Sequence, residues 1–327
     1  MSSDQTISSK LDRMLTLEMA RVVESTAVAA AYKRGKGNEE DADQVAVDAM
    51  RRELNSVPIS GRVVIGEGER DKAPMLYIGE TVGLGGKEVD IALDPLEGTR
   101  VCAKNQPNAL AVIALAERGN LLYAPDVYMA KIAVGPGYPK GIINLDASAT
   151  DNLNAVAKVK NCPVSELSIC VMDRPRHRQL IEEIRSANAS VFLIGDGDVA
   201  GIIHTTDLQK KGIDLYMGIG GAPEGVLAAA ALRCIGGQMQ GRLLLDTTEK
   251  RSRAECMGII DIEKVYSIEE MAKGDVLFAA TGVTDGRMLK GVEFTEDGIL
   301  TQTLVMSSST RTVRWINSRH EYTSKSK

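Results

Sequence analysis

The chain has 327 residues, of which 44% are hydrophobic and 25% are charged, and its formal net charge is −5 at pH 7. That length is enough for one large domain or two medium ones with a sizeable core. A net negative charge gives no electrostatic footprint for nucleic acid, so we expect no nucleic-acid partner. No run approaches the roughly 18 apolar residues of a membrane span, so we expect no membrane partner either.

The cysteines indicate the cellular compartment. There are five, an odd number without any C-x-x-C spacing: Cys102, Cys162, Cys170, Cys234 and Cys256. This pattern favours neither a disulfide framework nor a zinc cage. With no secretory leader at the start of the sequence, it predicts a reducing, cytoplasmic location.

Apolar periodicity predicts the elements of the first part of the chain. Helices are expected over 15–32, 42–54 and 152–159, and strands over 61–66, 88–94, 109–116, 121–124, 128–134 and 141–145. Glycine-rich turns separate them.

From about residue 162 the pattern alternates between strand and helix. The predicted segments are 168–172, 178–187, 190–194, 199–204, 214–219, 223–235 and 238–245, followed by strands over 276–280 and 299–307. This rhythm is typical of an α/β protein. We expect two α/β halves, 1–150 and 151–327.

The segment 89–99 is the most informative one. Its apolar strand is expected to stop at Pro95, with Asp94 and Glu97 on either side of a tight turn and Gly98 allowing a close approach of the backbone to a ligand. Hard cations such as Mg²⁺ prefer oxygen ligands held in this way. A polar surface turn is the alternative interpretation.

Other acids occupy similar positions. Glu67 follows the strand 61–66, Glu224 precedes the helix 223–235, and Asp43 is expected to open the helix 42–54. Singly, the helix-start acids are ordinary N-terminal residues favoured by the helix dipole. Together, they are what an open α/β site for metal and phosphate needs.

At this point the sequence resembles a known family, the class II (GlpX-type) fructose-1,6-bisphosphatases of the lithium-sensitive, metal-dependent sugar phosphatase superfamily. The likeness runs from about residue 17 to 315. The blocks that carry it are 42–47, 64–69, 73–79, 94–99, 124–129, 175–177, 196–198 and 220–225. It implies a layered α/β/α/β/α sandwich with the active site between the two halves. The half 1–150 would carry metal-binding acids, and the half 151–327 would carry the sugar-phosphate-binding loops.

The resemblance also implies roles for individual residues. Mg²⁺ or Mn²⁺ would be held by Asp43, Glu67, Asp94, Glu97 and Glu224, and Thr99 would be the catalytic residue that orients the attacking water. The substrate-binding set would be Glu97, Gly98, Thr99, Tyr128, Arg174, Pro175, Arg176, Asp196, Gly197, Asp198 and Gly221. Relatives are commonly homodimers or homotetramers, and lithium inhibition is expected.

The loop around Arg174 and Arg176 favours a bisphosphate. Two guanidinium groups between a strand and a helix suit bidentate contact with a second, non-reacting phosphate, although solvated surface arginines are the alternative. The predicted activity is hydrolysis of the 1-phosphate of fructose 1,6-bisphosphate in gluconeogenesis, with sedoheptulose 1,7-bisphosphate as a further substrate. An inositol or other sugar monophosphatase stays an alternative.

One departure from the family pattern keeps a non-enzyme alternative open. The family usually has a lysine in the loop before the first metal acid, whereas Glu39 stands there in this chain. A cation near the reacting phosphate is therefore in question. The alternative is a regulator that binds sugar phosphates with impaired catalysis, and the complete set of acids with Thr99 argues against it.

Overall fold

The structure is a computed structural model that describes residues 10–68, 75–206 and 212–322. Its strands are β1 (Ile59–Ile65), β2 (Thr81–Val82), β3 (Lys87–Glu97), β4 (Leu110–Glu117), β5 (Tyr128–Val134), β6 (Ser168–Met172), β7 (Ser190–Ile194), β8 (Leu215–Gly221), β9 (Gln238–Leu243), β10 (Tyr266–Ser267), β11 (Val276–Gly282), β12 (Glu293–Thr295), β13 (Gly298–Ser307) and β14 (Thr312–His320). Its helices are α1 (Lys10–Ala31), α2 (Glu39–Leu54), α3 (Thr99–Ala103), α4 (Ala149–Lys160), α5 (Arg178–Ser186), α6 (Asp198–Ile203), α7 (Ala222–Ile235), α8 (Thr248–Cys256) and α9 (Ile268–Met271).

The described strands form two mixed sheets. The first has the order β12-β13-β11-β4-β3-β1-β2, with β14 paired to β13. The second has the order β10-β9-β5-β8-β6-β7. Parallel pairs (β1 with β3, and β6 with β7 and β8) occur beside antiparallel ones, as is common in large sheets.

Three hydrophobic cores define the layers. One lies between α1, α2 and the first sheet, one between the two sheets around α7, and one between the second sheet and α4 and α5. The order is therefore helix, sheet, helix, sheet, helix. This confirms the predicted α/β/α/β/α sandwich.

The middle layer shows why this order forms. Helix α7 is packed against strands of both sheets, and its run Ala228 to Ala231 is completely buried. A helix that is apolar all round is the kind that a protein interior requires. Alanine side chains let both sheets approach the helix closely, and the acid Glu224 in the first turn of α7 is carried into the same interior.

Several predicted boundaries were wrong. The segment 121–124 contributes only an isolated bridge from Leu121 to Ala272, and 141–145 is a turn rather than a strand. Helix α2 begins at Glu39 with Asn38 as its N-cap, so Asp43 lies in the second turn and does not open the helix. Helix α8 and strand β14 were not predicted.

The sheets do not group the chain in sequence halves. Strands β11 to β14 return to the first sheet after the chain has built the second, and β5, before residue 150, belongs to the second. The division at residue 150 stays a prediction. Within the described ranges, no helix is long and apolar enough to cross a bilayer.

Candidate active site

A β-bulge places Asp94 and Glu97 on the same side of β3. Residues three apart in a regular strand point to opposite faces, but the pairing of β3 with β4 shifts between Asp94 and Glu97. The extra residue brings both carboxylates to one face. The prediction that the strand stops at Pro95 was therefore wrong. Pro95 lies within this bulge, and β3 continues to Glu97.

Glu224 completes a group of three carboxylates. An oxygen of each of Asp94, Glu97 and Glu224 lies within 4.8 Å of the others. Glu97 accepts the backbone N–H of Val199 at 3.2 Å, whereas the buried Oε2 of Glu224 has no hydrogen-bond partner. An orphaned buried carboxylate oxygen beside two further carboxylates fits a cation-binding site, because burial without a partner is costly. These residues can hold a metal ion.

The electrostatics of the group point the same way. Burial, followed by the charges of neighbouring carboxylates, raises the pKa of Glu224 to about 7 and that of Glu97 well above its usual value. Burial also raises the pKa of Asp94 to about 6, against the lowering effect of a hydrogen bond with Glu97. The carboxylates repel one another, and a divalent cation would relieve that repulsion.

Asp43 and Glu67 border this group. Burial raises the pKa of both, and the charges of Asp94, Asp43, Asp126 and Glu224 raise that of Glu67 further. The charge of Asp43 likewise raises the pKa of Asp94, so both acids interact electrostatically with members of the group. The sequence did not predict that Asp126 contributes to the electrostatics of this site, although Asp126 lies in the block 124–129 that resembles the family.

A cavity of about 160 Å³ connects two of these acids, Glu97 and Glu224, with the predicted substrate loops. It is lined by Glu97, Tyr128, Met172, Arg174, Arg176, Asp196, Gly197, Asp198, Gly220, Gly221 and Glu224. Two larger cavities, of about 780 and 950 Å³, contain none of the predicted acids. We assign the chemistry to the small cavity because, of these three, it is the one lined by predicted metal acids together with the predicted substrate arginines.

The arginines are held in fixed positions. Arg176 donates twice to the carbonyl of Ile219, at 3.0 and 2.8 Å, and its guanidinium lies 4.9 Å from the ring centre of Tyr128. Arg174 pairs with Asp196 at 3.0 Å and also donates to the carbonyl of Gly195. Both guanidinium groups border the cavity with donors that remain for an anion.

His177 holds the backbone of Ile219, the residue to which Arg176 donates. Its Nδ1 lies 2.7 Å from the Met172 carbonyl, and its Nε2 lies 2.8 Å from the backbone nitrogen of Ile219. With Nδ1 donating and Nε2 accepting, the ring is neutral. Burial lowers the pKa of His177, which agrees with this neutral form.

The remaining predicted residues frame the site. Gly98 and Gly197 adopt φ values of 85° and 80°, which favour glycine, and they are the N-caps of α3 and α6. Thr99 is the first residue of α3 and is half-buried, but it is not among the residues lining the cavity. Pro175 starts the turn that carries Arg176. Glu39, at the usual lysine position, is exposed.

Comparison with known proteins gives the family. The model of bacterial, glpX-encoded fructose-1,6-bisphosphatase matches residues 13–320. The chain belongs to this family. A Synechococcus sp. (strain JA-3-3Ab) protein is 47% identical, with 95% of this chain and 96% of the relative covered. Proteins of Synechococcus elongatus and Synechocystis sp. are each 46% identical, with 95% of this chain and 97% of the relative covered. All three are named D-fructose 1,6-bisphosphatase class 2/sedoheptulose 1,7-bisphosphatase.

Proposed function

We propose that this chain hydrolyses the 1-phosphate of D-fructose 1,6-bisphosphate to fructose 6-phosphate and phosphate, as a step of gluconeogenesis. The observation that carries the proposal is the single cavity in which Glu97 and Glu224 face Arg174 and Arg176. A bisphosphate needs one end where phosphate reacts and another where phosphate is only held. The family membership and the names of the relatives support the same activity.

The reacting phosphate belongs at the carboxylate end. Asp94, Glu97 and Glu224, with Asp43 and Glu67 beside them, would hold Mg²⁺ or Mn²⁺ there, since carboxylate oxygens suit both ions. A divalent ion supplies positive charge to the phosphoryl oxygens and lowers the pKa of water. The protein itself holds Asp94 and Glu97 on one face of β3 and Glu224 at the start of α7.

Thr99 is proposed as the catalytic residue that orients the attacking water. It follows Gly98 directly at the start of α3, two residues after Glu97. A hydroxyl both donates and accepts hydrogen bonds, so it can pass a proton between water and a carboxylate. Because the first N–H groups of a helix are unpaired, the start of α3 also favours an anionic group nearby.

The second phosphate belongs at the arginine end. Arg176 is anchored through the carbonyl of Ile219 and is stacked near Tyr128, so little side-chain freedom remains to be lost on binding. Asp196 and Asp198 are proposed to accept the sugar hydroxyls between the two phosphates. The relatives' names give sedoheptulose 1,7-bisphosphate as a second substrate to test.

Phosphate release from four compounds tests this function. Fructose 1,6-bisphosphate, sedoheptulose 1,7-bisphosphate, fructose 1-phosphate and inositol 1-phosphate would each be assayed with Mn²⁺, with Mg²⁺ and in EDTA. We expect the bisphosphates to be hydrolysed with far higher kcat/KM and lithium to inhibit. Preference for a monophosphate would favour the monophosphatase, and binding of fructose 1,6-bisphosphate without turnover would favour the regulator.

The subunit number and the location are also proposals. We infer a homodimer or homotetramer from the family resemblance, which sedimentation velocity of the purified chain would test. A cytoplasmic location agrees with the free cysteines, three of which (Cys102, Cys170 and Cys234) are buried.

A further inference from the structure

Lys131 is a buried lysine in the middle of an otherwise apolar strand. It lies in β5 between β8 and β9, where its directly paired neighbours are Gly218 and Gly241. Only 1% of the residue is exposed. Taking an ammonium group out of water costs several kcal/mol unless its partners compensate, so its position requires an explanation.

The partners of Lys131 lie in the sugar and metal regions of the cavity. Its Nζ lies 2.5 Å from Oδ2 of Asp198 and donates to the carbonyl of Gly221 at 2.8 Å. The hydroxyl of Tyr216 donates to the same Oδ2 at 3.2 Å. These bonds to the Asp198 side chain all end on Oδ2, which leaves Oδ1 as the oxygen to accept a sugar hydroxyl.

The surrounding backbone leaves space for this ion pair. A Cβ atom at Gly220 would lie 1.9 Å from Asp198 Oδ2 and 2.9 Å from Lys131 Nζ. A Cβ at Gly225, in the first part of α7, would lie 3.4 Å from Cδ of Lys131. Glycine at 220 is thus required for the pair to form, and α7 packs closely over the lysine stem.

Asp198 also lies beside two of the proposed metal acids. It shares the cavity with Glu97 and Glu224, and its charge contributes to the raised pKa of both, after the larger effect of burial. A carboxylate with no partner of its own in this position would be an additional ligand for a divalent ion. The bond to Lys131 opposes that role.

We propose that Lys131 is a positioning residue that separates the sugar-binding carboxylate of this site from the metal-binding carboxylates. By pairing with Asp198, it keeps that side chain away from the metal and reserves it for a sugar hydroxyl, while Asp94, Glu97 and Glu224 are left to the metal. The proposal rests on the function proposed above. It assigns Lys131 no contact with a reacting atom.

The test is Lys131→Met, a neutral side chain of similar length. Mn²⁺ affinity is measured by calorimetry without substrate, and kcat and KM are measured on fructose 1,6-bisphosphate. This separation of roles predicts that the variant binds Mn²⁺ more tightly and the substrate more weakly. Mn²⁺ should bind about tenfold tighter or more, the scale on which groups that orient metal ligands act, because a positive charge is lost and Asp198 is released. KM should rise by a similar factor, with a smaller loss of kcat.

Two further variants separate this role from a structural one. Lys160→Met removes an ion pair with Asp214, which directly precedes β8 of the same sheet and lies outside the cavity, and should change neither Mn²⁺ affinity nor KM. Lys131→Met combined with Asp198→Asn removes both charges. It should restore the wild-type Mn²⁺ affinity while KM stays raised.

The outcomes decide the proposal in each case. Unchanged or weaker Mn²⁺ binding by Lys131→Met overturns it, as does equally tight binding by the single and double variants. If the single variant does not fold, the double variant decides, since it carries no unpaired buried charge. Weaker Mn²⁺ binding by the double variant would then show that one of the two residues supports the metal directly. Failure of the wild-type protein to hydrolyse fructose 1,6-bisphosphate would contradict the proposed function. The Mn²⁺ affinities measured by calorimetry would still test the role of Lys131.

Discussion

At the scale of single residues, we propose that the site separates groups for chemistry from groups for binding. Thr99 stands at the start of α3, two residues after Glu97, and Arg176 lines the cavity, where it donates to the carbonyl of Ile219. The two residues should therefore affect different kinetic constants. This contrast gives two predictions.

Thr99→Ala should lower kcat by about 10²–10⁴-fold, the usual scale for lost proton-transfer assistance, and should change KM little. Steady-state kinetics on fructose 1,6-bisphosphate with saturating Mn²⁺ measures this. Thr99→Ser keeps the hydroxyl and is the matched control, which should retain most of the activity. A kcat for Thr99→Ala close to that of wild type would show that the residue only starts the helix.

Arg176→Ala should mainly raise KM for fructose 1,6-bisphosphate, because it removes a charged contact with the phosphate that does not react. A monophosphate has no second phosphate for Arg176, so its kcat/KM should be affected much less. Arg178→Ala, at an exposed position on the neighbouring α5, is the control and should leave both substrates unchanged. Equal damage to both substrates would argue for the monophosphatase.

At the scale of elements, the strand β3 carries two acids that repel each other when no metal is bound. Folding raises the pKa of Asp94 to about 6 and that of Glu224 to about 7. A raised carboxyl pKa means that the folded protein binds protons more tightly than the unfolded chain, so stability falls as pH rises through these values. The metal-free protein should therefore be more stable at pH 5.5 than at pH 8.

Asp94→Asn should raise the melting temperature of the metal-free protein at pH 8 by about 2–4 °C, roughly the shift that 1 kcal/mol gives in a medium-sized domain. It should also flatten the dependence of that temperature on pH between 5.5 and 8. Calorimetric melting in EDTA measures both effects. Glu182→Gln on the solvent side of α5 serves as the control and should do neither. A lower melting temperature for Asp94→Asn would identify the residue as structural.

The elements also show how far the sequence could be used. Strands with clear apolar runs, such as β5, β6 and β7, were predicted at their exact bounds. Segments 121–124 and 141–145 also contain apolar residues, but of these only Leu121, Ala124 and Ile143 are buried, and they are buried from loops. Periodicity cannot distinguish such a loop from a short strand. Strand β14 was missed because, at the sheet edge, its residues are at least partly exposed, so its apolar signal is weak.

At the scale of the whole molecule, the site depends on layers that local patterns do not specify. The sequence marked each acid by its place at a strand or helix end, but it could not show that a bulge turns Asp94 and Glu97 to one face. Nor could it bring Glu224 from the middle layer to within 4.8 Å of them. The positions of the acids at strand and helix ends suggested a shared site, and the family resemblance named them as one ligand set. Lys131 and Tyr216 were missed altogether, and a single lysine within an apolar strand was the available signal.

The central claim is that metal held by this carboxylate group drives hydrolysis of a sugar bisphosphate in one shared cavity. The most direct test measures phosphate release from fructose 1,6-bisphosphate by the purified chain, first in EDTA and then during titration with Mn²⁺, for wild type and Glu224→Gln. We predict no turnover in EDTA, full recovery with Mn²⁺ in the wild type, and a greatly increased Mn²⁺ requirement with reduced turnover in Glu224→Gln. Full turnover in EDTA, or the same Mn²⁺ titration for both proteins, would contradict the account.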